Sequence, residues 1–166
     1  MPKLKDLKPV GADYPLTGPN HRTLVMPISV PSTTLFRCLE DGPAWNEWLG
    51  IDVEWTSPEP FGVGTTRTVR TGGQTIDEYF LTWIDGQAMG FRFDRATLPV
   101  KAFAELYDCV PNGTDSCELR WSYAFEWGGP LEPILGRAFA AGFAFNCKRS
   151  LNKLALLLET HPERWA

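Results

Sequence analysis

The chain has 166 residues, 43% of them apolar and 22% charged, with a formal charge of −4. That length and composition suit one globular domain with a single core. The acidic balance opposes nucleic-acid binding, which needs clustered Lys and Arg to replace phosphate counterions.

Residues 1–20 carry Pro2, Pro9, Pro15 and Pro19 without an apolar segment resembling a signal peptide. They read as an irregular arm before a single domain over 21–166, and a cytoplasmic location is the expectation. "RTLVMPISV" (22–30) reads as a strand, with Pro27 placing it at a sheet edge or bulge. Pro31, Ser32 and Thr33 open a helix in "PSTTLFRCLED", and "GPAWNEWLG" reads as a second short helix. "IDVEW" alternates Ile51, Val53 and Trp55 with Asp52 and Glu54, the period-two pattern of a half-buried strand.

"RTVRTGGQTIDEYFLTWIDGQAMGFRF" (67–93) reads as three strands turned at Gly72-Gly73 and Asp85-Gly86. The first turn sets Val69 opposite Ile76, Arg67 opposite Glu78 and Thr65 opposite Phe80. The second sets Phe80 opposite Phe91, Glu78 opposite Phe93, Thr82 opposite Met89, Tyr79 opposite Arg92 and Asp77 opposite Asp94. An arginine and a glutamate therefore fall on the otherwise apolar face. A third hairpin turned at Asn112-Gly113 pairs Val100 with Phe125, Ala102 with Tyr123, Ala104 with Trp121 and Leu106 with Leu119, which directs Glu105 outward opposite Arg120.

Residues 134–160 read as a long helix, its stripe of Ala140, Ala144, Cys147, Leu151, Leu154 and Leu158 facing the sheet. Phe139, Phe143 and Phe145 make its first half apolar nearly all round, so that half is expected to touch more than one neighbour. The run "ILGRAFAAGFAFN" is too short for the ~20 residues that span a bilayer, so no membrane span is expected. Cys38, Cys109, Cys117 and Cys147 form no CxxC pair and read as reduced, buried thiols; a Cys109–Cys117 disulfide is the lesser reading, because the register pairs Cys109 with Ser116. His21 and His161 lie outside the central elements, which opposes a histidine triad or metal cluster, and no cofactor is expected.

The order of strand, two short helices, six antiparallel strands and long helix resembles the helix-grip fold of the START-like (SRPBCC) superfamily, within it the polyketide cyclase/dehydrase-like proteins. "VPSTTLFRCLEDGPAWNEW", "PFGVGTTRTV" and "IDEYFLTWIDGQAMGFRF" are similar to that family's helix entry, Gly-turn and Glu-bearing strand. The resemblance spans about residues 22–160. It implies an α+β fold in which a curved antiparallel seven-stranded sheet wraps the C-terminal helix and encloses a cavity. It also implies relatives that carry lipids or aromatic ligands, cyclise polyketides, act as receptors or regulate chaperones, and so leaves open whether a reaction is catalysed.

In such a cavity Phe80, Phe91, Phe93, Trp121, Tyr123, Phe139 and Phe143 are candidate wall residues, with Ala102, Ala104, Gly136 and Gly142 keeping the opposing surfaces low. Arg67 is the candidate anchor for a carboxylate, phenolate or enolate, Glu78 orients it, and Tyr123 adds a hydroxyl. A plain cross-strand ion pair at a wet sheet rim is the competing reading of Arg67 and Glu78. Asn146 is a further candidate wall residue, weighed against a local hydrogen-bonding role. Trp45 and Trp48 belong to the core or cap the entrance. The expected occupant is a small hydrophobic molecule, aromatic, polyketide-like or lipid-like. The alternatives are a cyclase or dehydratase using the same cavity, and an interaction module using Tyr79, Arg92, Phe103 and Arg120 on the outer face.

Overall fold

The computed structural model describes residues 2–166. An N-terminal arm contributes β1 (Lys5–Asp6) and the helical turn α1 (Tyr14–Thr17); β2 (Arg22–Ile28) is followed by α2 (Ser32–Glu40) and α3 (Ala44–Leu49). Then come β3 (Asp52–Trp55), β4 (Thr66–Thr71), β5 (Gln74–Ile84), β6 (Ala88–Ala96), β7 (Val100–Pro111), β8 (Cys117–Trp127), the long helix α4 (Glu132–Thr160) and a 3₁₀ turn, η1 (Pro162–Trp165). The order β2-β8-β7-β6-β5-β4-β3 forms one antiparallel sheet. This is the helix-grip architecture, with α4 gripped by the sheet.

Pro27 sits on the edge strand β2, where a missing N–H donor is tolerated. The arm adds an eighth, two-residue strand: Lys5 and Asp6 pair with Ala96 and Arg95, alongside a part of β6 that β7 does not reach. Leu7 N–H donates to Asp94 O, Lys8 N–H donates to Lys101 O, and Phe125 N–H donates to Pro19 O, so main-chain bonds fasten the arm at both ends.

Gly72 and Gly73 both have positive φ, 52° and 79°, as a tight hairpin turn requires. The pairs Arg67–Glu78 and Val69–Ile76 form as expected, and Phe80 N–H donates to Thr65 O. The next hairpin keeps the expected pairs only in its middle: Phe80–Phe91, Tyr79–Arg92 and Glu78–Phe93. Its turn is one residue longer, with Gln87 N–H donating to Ile84 O, so Met89 meets Trp83 rather than Thr82. Irregularities between Phe80 and Thr82, and between Asp77 and Glu78, absorb the offset, and Asp77 meets Arg95 rather than Asp94.

The β7–β8 hairpin departs further. Pro111 pairs with Cys117, leaving residues 112–116 as the loop, which is closed by Asn112 N–H to Ser116 O and by the Ser116 hydroxyl to Asn112 O. The loop is three residues longer than the two-residue turn expected at Asn112-Gly113. An odd offset turns β7 over relative to β8. Phe103, Glu105 and Tyr107 consequently oppose Phe125, Tyr123 and Trp121 on the concave face, while Ala104 pairs with Ala124 on the other. Ala102 and Ala104 thus face away from α4, where the arm's α1 packs on β7 and β8. Their missing bulk admits the arm, not a ligand.

Along α4, Ala144, Cys147, Leu151, Leu154 and Leu158 are buried, as the stripe demands. Phe139 and Phe143 turn to the sheet, their rings edge-on to Phe125 at 5.1 Å and to Tyr123 at 4.8 Å. Phe145 does not find a second neighbour: it is 69% exposed and Ile134 is 68% exposed. At about 100° per residue, Phe145 lies on the far side of the helix from Phe143. Gly136 meets Trp127, whereas Gly142 faces open space and lowers no wall. The four cysteines are free and buried, and Cys109 pairs with Leu119 instead of Ser116.

Candidate functional site

Between α4 and the concave face lies a hollow of about 450 Å³. Arg67, Val69, Ile76 and Glu78 form one side of it; Phe91, Phe93, Phe103, Glu105, Tyr107 and Trp121 form the floor; Phe139, Phe143 and Cys147 of α4 cover it. Trp45 of α3 closes one end, its Nε1–H fixed to Leu39 O at 2.9 Å. Half-buried Leu49, Ile51 and Leu98 and exposed Asn146, Arg149 and Lys153 mark the rim where water reaches the hollow.

Arg67 is 1% exposed and Glu78 4%, so the pair belongs to the interior and not to a wet rim. Arg67 Nε donates to Glu78 Oε2 at 2.5 Å. Neither Nη1 nor Nη2 has a hydrogen-bond partner. The guanidinium carbon lies 4.4 Å from the ring centre of Trp45, 4.5 Å from Phe91, 5.2 Å from Phe80 and 5.3 Å from Trp55. Aromatic faces attract a cation and hold its plane, but they supply no acceptor for its remaining N–H groups. A guanidinium stays protonated in a protein, so the interior carries a fixed positive charge with donors to spare. Burial pushes the Glu78 carboxyl upward, and Arg67 in contact with it pulls it back.

The overturned register brings in a second acid. Glu105, 6% exposed, accepts from Tyr107 Oη at 2.8 Å and from Trp121 Nε1 at 2.9 Å, both bonds ending on Oε2. Burial first and the nearby Glu78 second push its carboxyl up to about 7, against the pull of those two donors and of Arg67. A two-residue turn at Asn112-Gly113 directs Glu105 and Tyr107 outward; the five-residue loop turns them in. The polar residues Thr114, Asp115 and Ser116 that follow Gly113 are the signal for the longer loop.

Of the expected wall, Arg67, Glu78, Phe91, Phe93, Trp121, Phe139 and Phe143 line the hollow, as does Asn146. Phe80 and Tyr123 do not. Phe80 lies behind Arg67 and Phe91, packed on Trp55 and Trp83. The Tyr123 ring is covered by Phe143. Trp48 is buried against Trp45 and Trp121 and stands behind the lining rather than over an entrance. On the convex side Arg92 lies over Tyr79 at 4.7 Å and pairs with Asp94, and Arg120 pairs with Glu118. Phe103, expected there, is inside. Among the described residues no group of His, Cys, Asp and Glu is placed to hold a metal ion, and no helix is long and apolar enough to cross a membrane.

Residues 21–159 match the family described as polyketide cyclase / dehydrase and lipid transport. An uncharacterized protein of Mycobacterium tuberculosis is 39% identical over 132 residues, 76% of this chain and 77% of its own length. The fold is similar to that of a START superfamily protein from Mycobacterium smegmatis, with a TM-score of 0.69 at 12% identity over 83% of this chain and 98% of the other. It is similar also to the Zhui aromatase/cyclase from Streptomyces sp. R1128, with a TM-score of 0.65 at 13% identity over 85% of this chain and 94% of the other.

Proposed function

Because the chain belongs to the polyketide cyclase / dehydrase and lipid transport family of START-like proteins, we propose that it binds a small hydrophobic molecule, flat enough to lie on the phenylalanines, with an oxygen held by Arg67. The observation that carries this reading is the pair of buried Arg67 nitrogens without partners. A buried donor left unmade costs about 1–3 kcal/mol, more for a charged group. A ligand carbonyl, phenolate or carboxylate oxygen at Nη1 and Nη2 removes that cost, in a hollow whose apolar walls and few polar groups are the usual form of a small-molecule site. Phe91, Phe93, Phe103 and Phe143 supply the flat surfaces.

The test is isothermal titration calorimetry against naphthyl and anthraquinone ketones, fatty acids and sterols. Binding of at least one class, lost in Arg67→Met while circular dichroism shows a retained fold, is the expected result. No heat from any class with the native protein overturns the reading.

A second reading rests on Glu105. A carboxyl pushed up to about 7 beside a fixed cation is able to give and take a proton near neutral pH, which suits a cyclase or dehydratase acting on a molecule held in the same place. Turnover of a polyketone that survives Arg67→Met and Glu105→Gln unchanged would remove these residues from it.

A further inference from the structure

The buried part of the hollow holds one cation and two carboxyls. Arg67, Glu78 and Glu105 are 1%, 4% and 6% exposed. Arg67 and Glu78 are in contact and neutralise one another. Glu105 has no cation of its own: its two hydrogen bonds come from a phenol and an indole, both neutral donors. The remaining groups facing it are Cys147 from α4 and Tyr123 from β8, neither of which is cationic. Arg149 and Lys153 of α4 stand at the exposed rim, where water and salt screen them.

Arg67 and Glu105, on strands β4 and β7, line the same hollow and feel one another's charge. The guanidinium rests on Phe91, and Phe91 is the cross-strand partner of Glu105. Both side chains line the same hollow, so a ligand oxygen held there by Arg67 lies within electrostatic reach of Glu105. If that oxygen belongs to a carboxylate, three acids share one buried cation, and like charges in a low-dielectric site cannot all remain ionised. A neutral carbonyl adds no charge and meets no such conflict.

Building on the proposed binding role, we infer that Glu105 is the specificity-determining residue of the hollow, admitting an acidic ligand only when Glu105 carries a proton and admitting neutral carbonyl ligands without that condition. The proton has a place to sit. Tyr107 and Trp121 both donate to Oε2, which leaves Oε1 to become the O–H of the neutral acid and to turn toward the ligand oxygen as an additional donor. Burial already holds this carboxyl near the boundary, at about 7, so the condition is met in mildly acidic solution and fails in alkaline solution. An acid ligand thus takes up a proton when it binds above neutrality.

The experiment compares two probes of nearly the same shape, 2-naphthoate and 2-acetylnaphthalene, by calorimetry at pH 6 and pH 8. The carboxylic acid is ionised at both. Naphthoate affinity should fall about tenfold from pH 6 to pH 8, the ratio of protonated fractions for a group at about 7, while acetylnaphthalene affinity stays within about twofold. Titrations at pH 8 in two buffers of different ionisation enthalpy should report uptake of about one proton with naphthoate and none with the ketone. In Glu105→Gln the naphthoate dependence should vanish. Constant naphthoate affinity without proton uptake in the native protein overturns the inference while leaving the binding reading intact, and so does an unchanged dependence in a folded Glu105→Gln. Failure of both probes, and of the wider ligand set, removes the binding reading and this inference with it. The buffer comparison needs no variant, so it stands even if Glu105→Gln does not fold.

Discussion

Phe91 lies between Arg67 and Glu105: its ring centre is 4.5 Å from the Arg67 guanidinium carbon, and its backbone pairs directly with that of Glu105. One aromatic ring thus joins the buried cation of the hollow to the acid of β7. Tyr107 stacks on the same ring at 6.0 Å while holding Glu105 by its hydroxyl, so the two charged groups are positioned by one aromatic column.

The Arg67–Glu78 pair is expected to be a poor stabiliser. Removing both ions from water costs several kcal/mol each, and the Arg67 Nη groups recover little of it. Arg67→Met should destabilise the protein by about 3–5 kcal/mol, because Glu78 is left buried without its cation. Arg67→Met combined with Glu78→Met should recover most of that loss. Urea denaturation of the three proteins measures this; a double variant less stable than the single one would show that the pair holds the fold together.

Glu105 should make the protein less stable as pH rises through the neutral range. In the unfolded chain its carboxyl gives up a proton near 4.5, while in the folded protein it keeps it until about 7. Between those values the folded state binds more protons, so unfolding free energy falls with increasing pH, by up to about 3 kcal/mol from this group. Glu105→Gln keeps acceptors for Tyr107 and Trp121 and removes the titration. The native protein should lose stability between pH 5 and pH 8 relative to the variant, in denaturation midpoints measured across that range; parallel curves would contradict the assignment.

How far the site was legible from sequence depended on turn length. Gly72-Gly73 forces a two-residue turn, and the Arg67–Glu78 pairing follows from it directly. Asp85-Gly86 opens a slightly longer turn, and a bulge restores the expected middle, so Phe91 and Phe93 remained on the correct face. Asn112-Gly113 is part of a five-residue loop, and the irregularity that restores the face comes only between Val100 and Ala102, so the side chains of β7 from Ala102 to Pro111 are inverted. Alternation could not reveal the error, because "VKAFAELYDC" presents apolar residues on both sides: one set packs under the arm, the other lines the hollow. The arm's docking was hidden for the same reason, since Ala102 and Ala104 read equally well as low points of a cavity wall.

Tyr107→Phe should move the Glu105 titration upward. The Tyr107 hydroxyl donates to Oε2 and favours the ionised form, so its removal leaves burial less opposed. Carboxyl carbon-13 chemical shifts followed over pH should place the Glu105 midpoint above about 7 in the variant. In the naphthoate titrations the loss of affinity should begin at correspondingly higher pH. A midpoint that falls would mean that the hydroxyl acts chiefly by excluding water.

Ala104→Leu distinguishes the two faces of β7. Ala104 is fully buried on the convex side, across from Ala124 and beneath the arm. Three extra carbons there force the arm away or strain the sheet, a cost of about 1–3 kcal/mol, whereas a leucine on the concave face would fill the hollow. The expected outcome is a lowered denaturation midpoint, faster hydrogen exchange at Leu7 and Lys8, whose N–H groups bond Asp94 and Lys101, and unchanged affinity for acetylnaphthalene. Lost affinity with the arm's exchange unaltered would put Ala104 inside the hollow and return Glu105 to solvent.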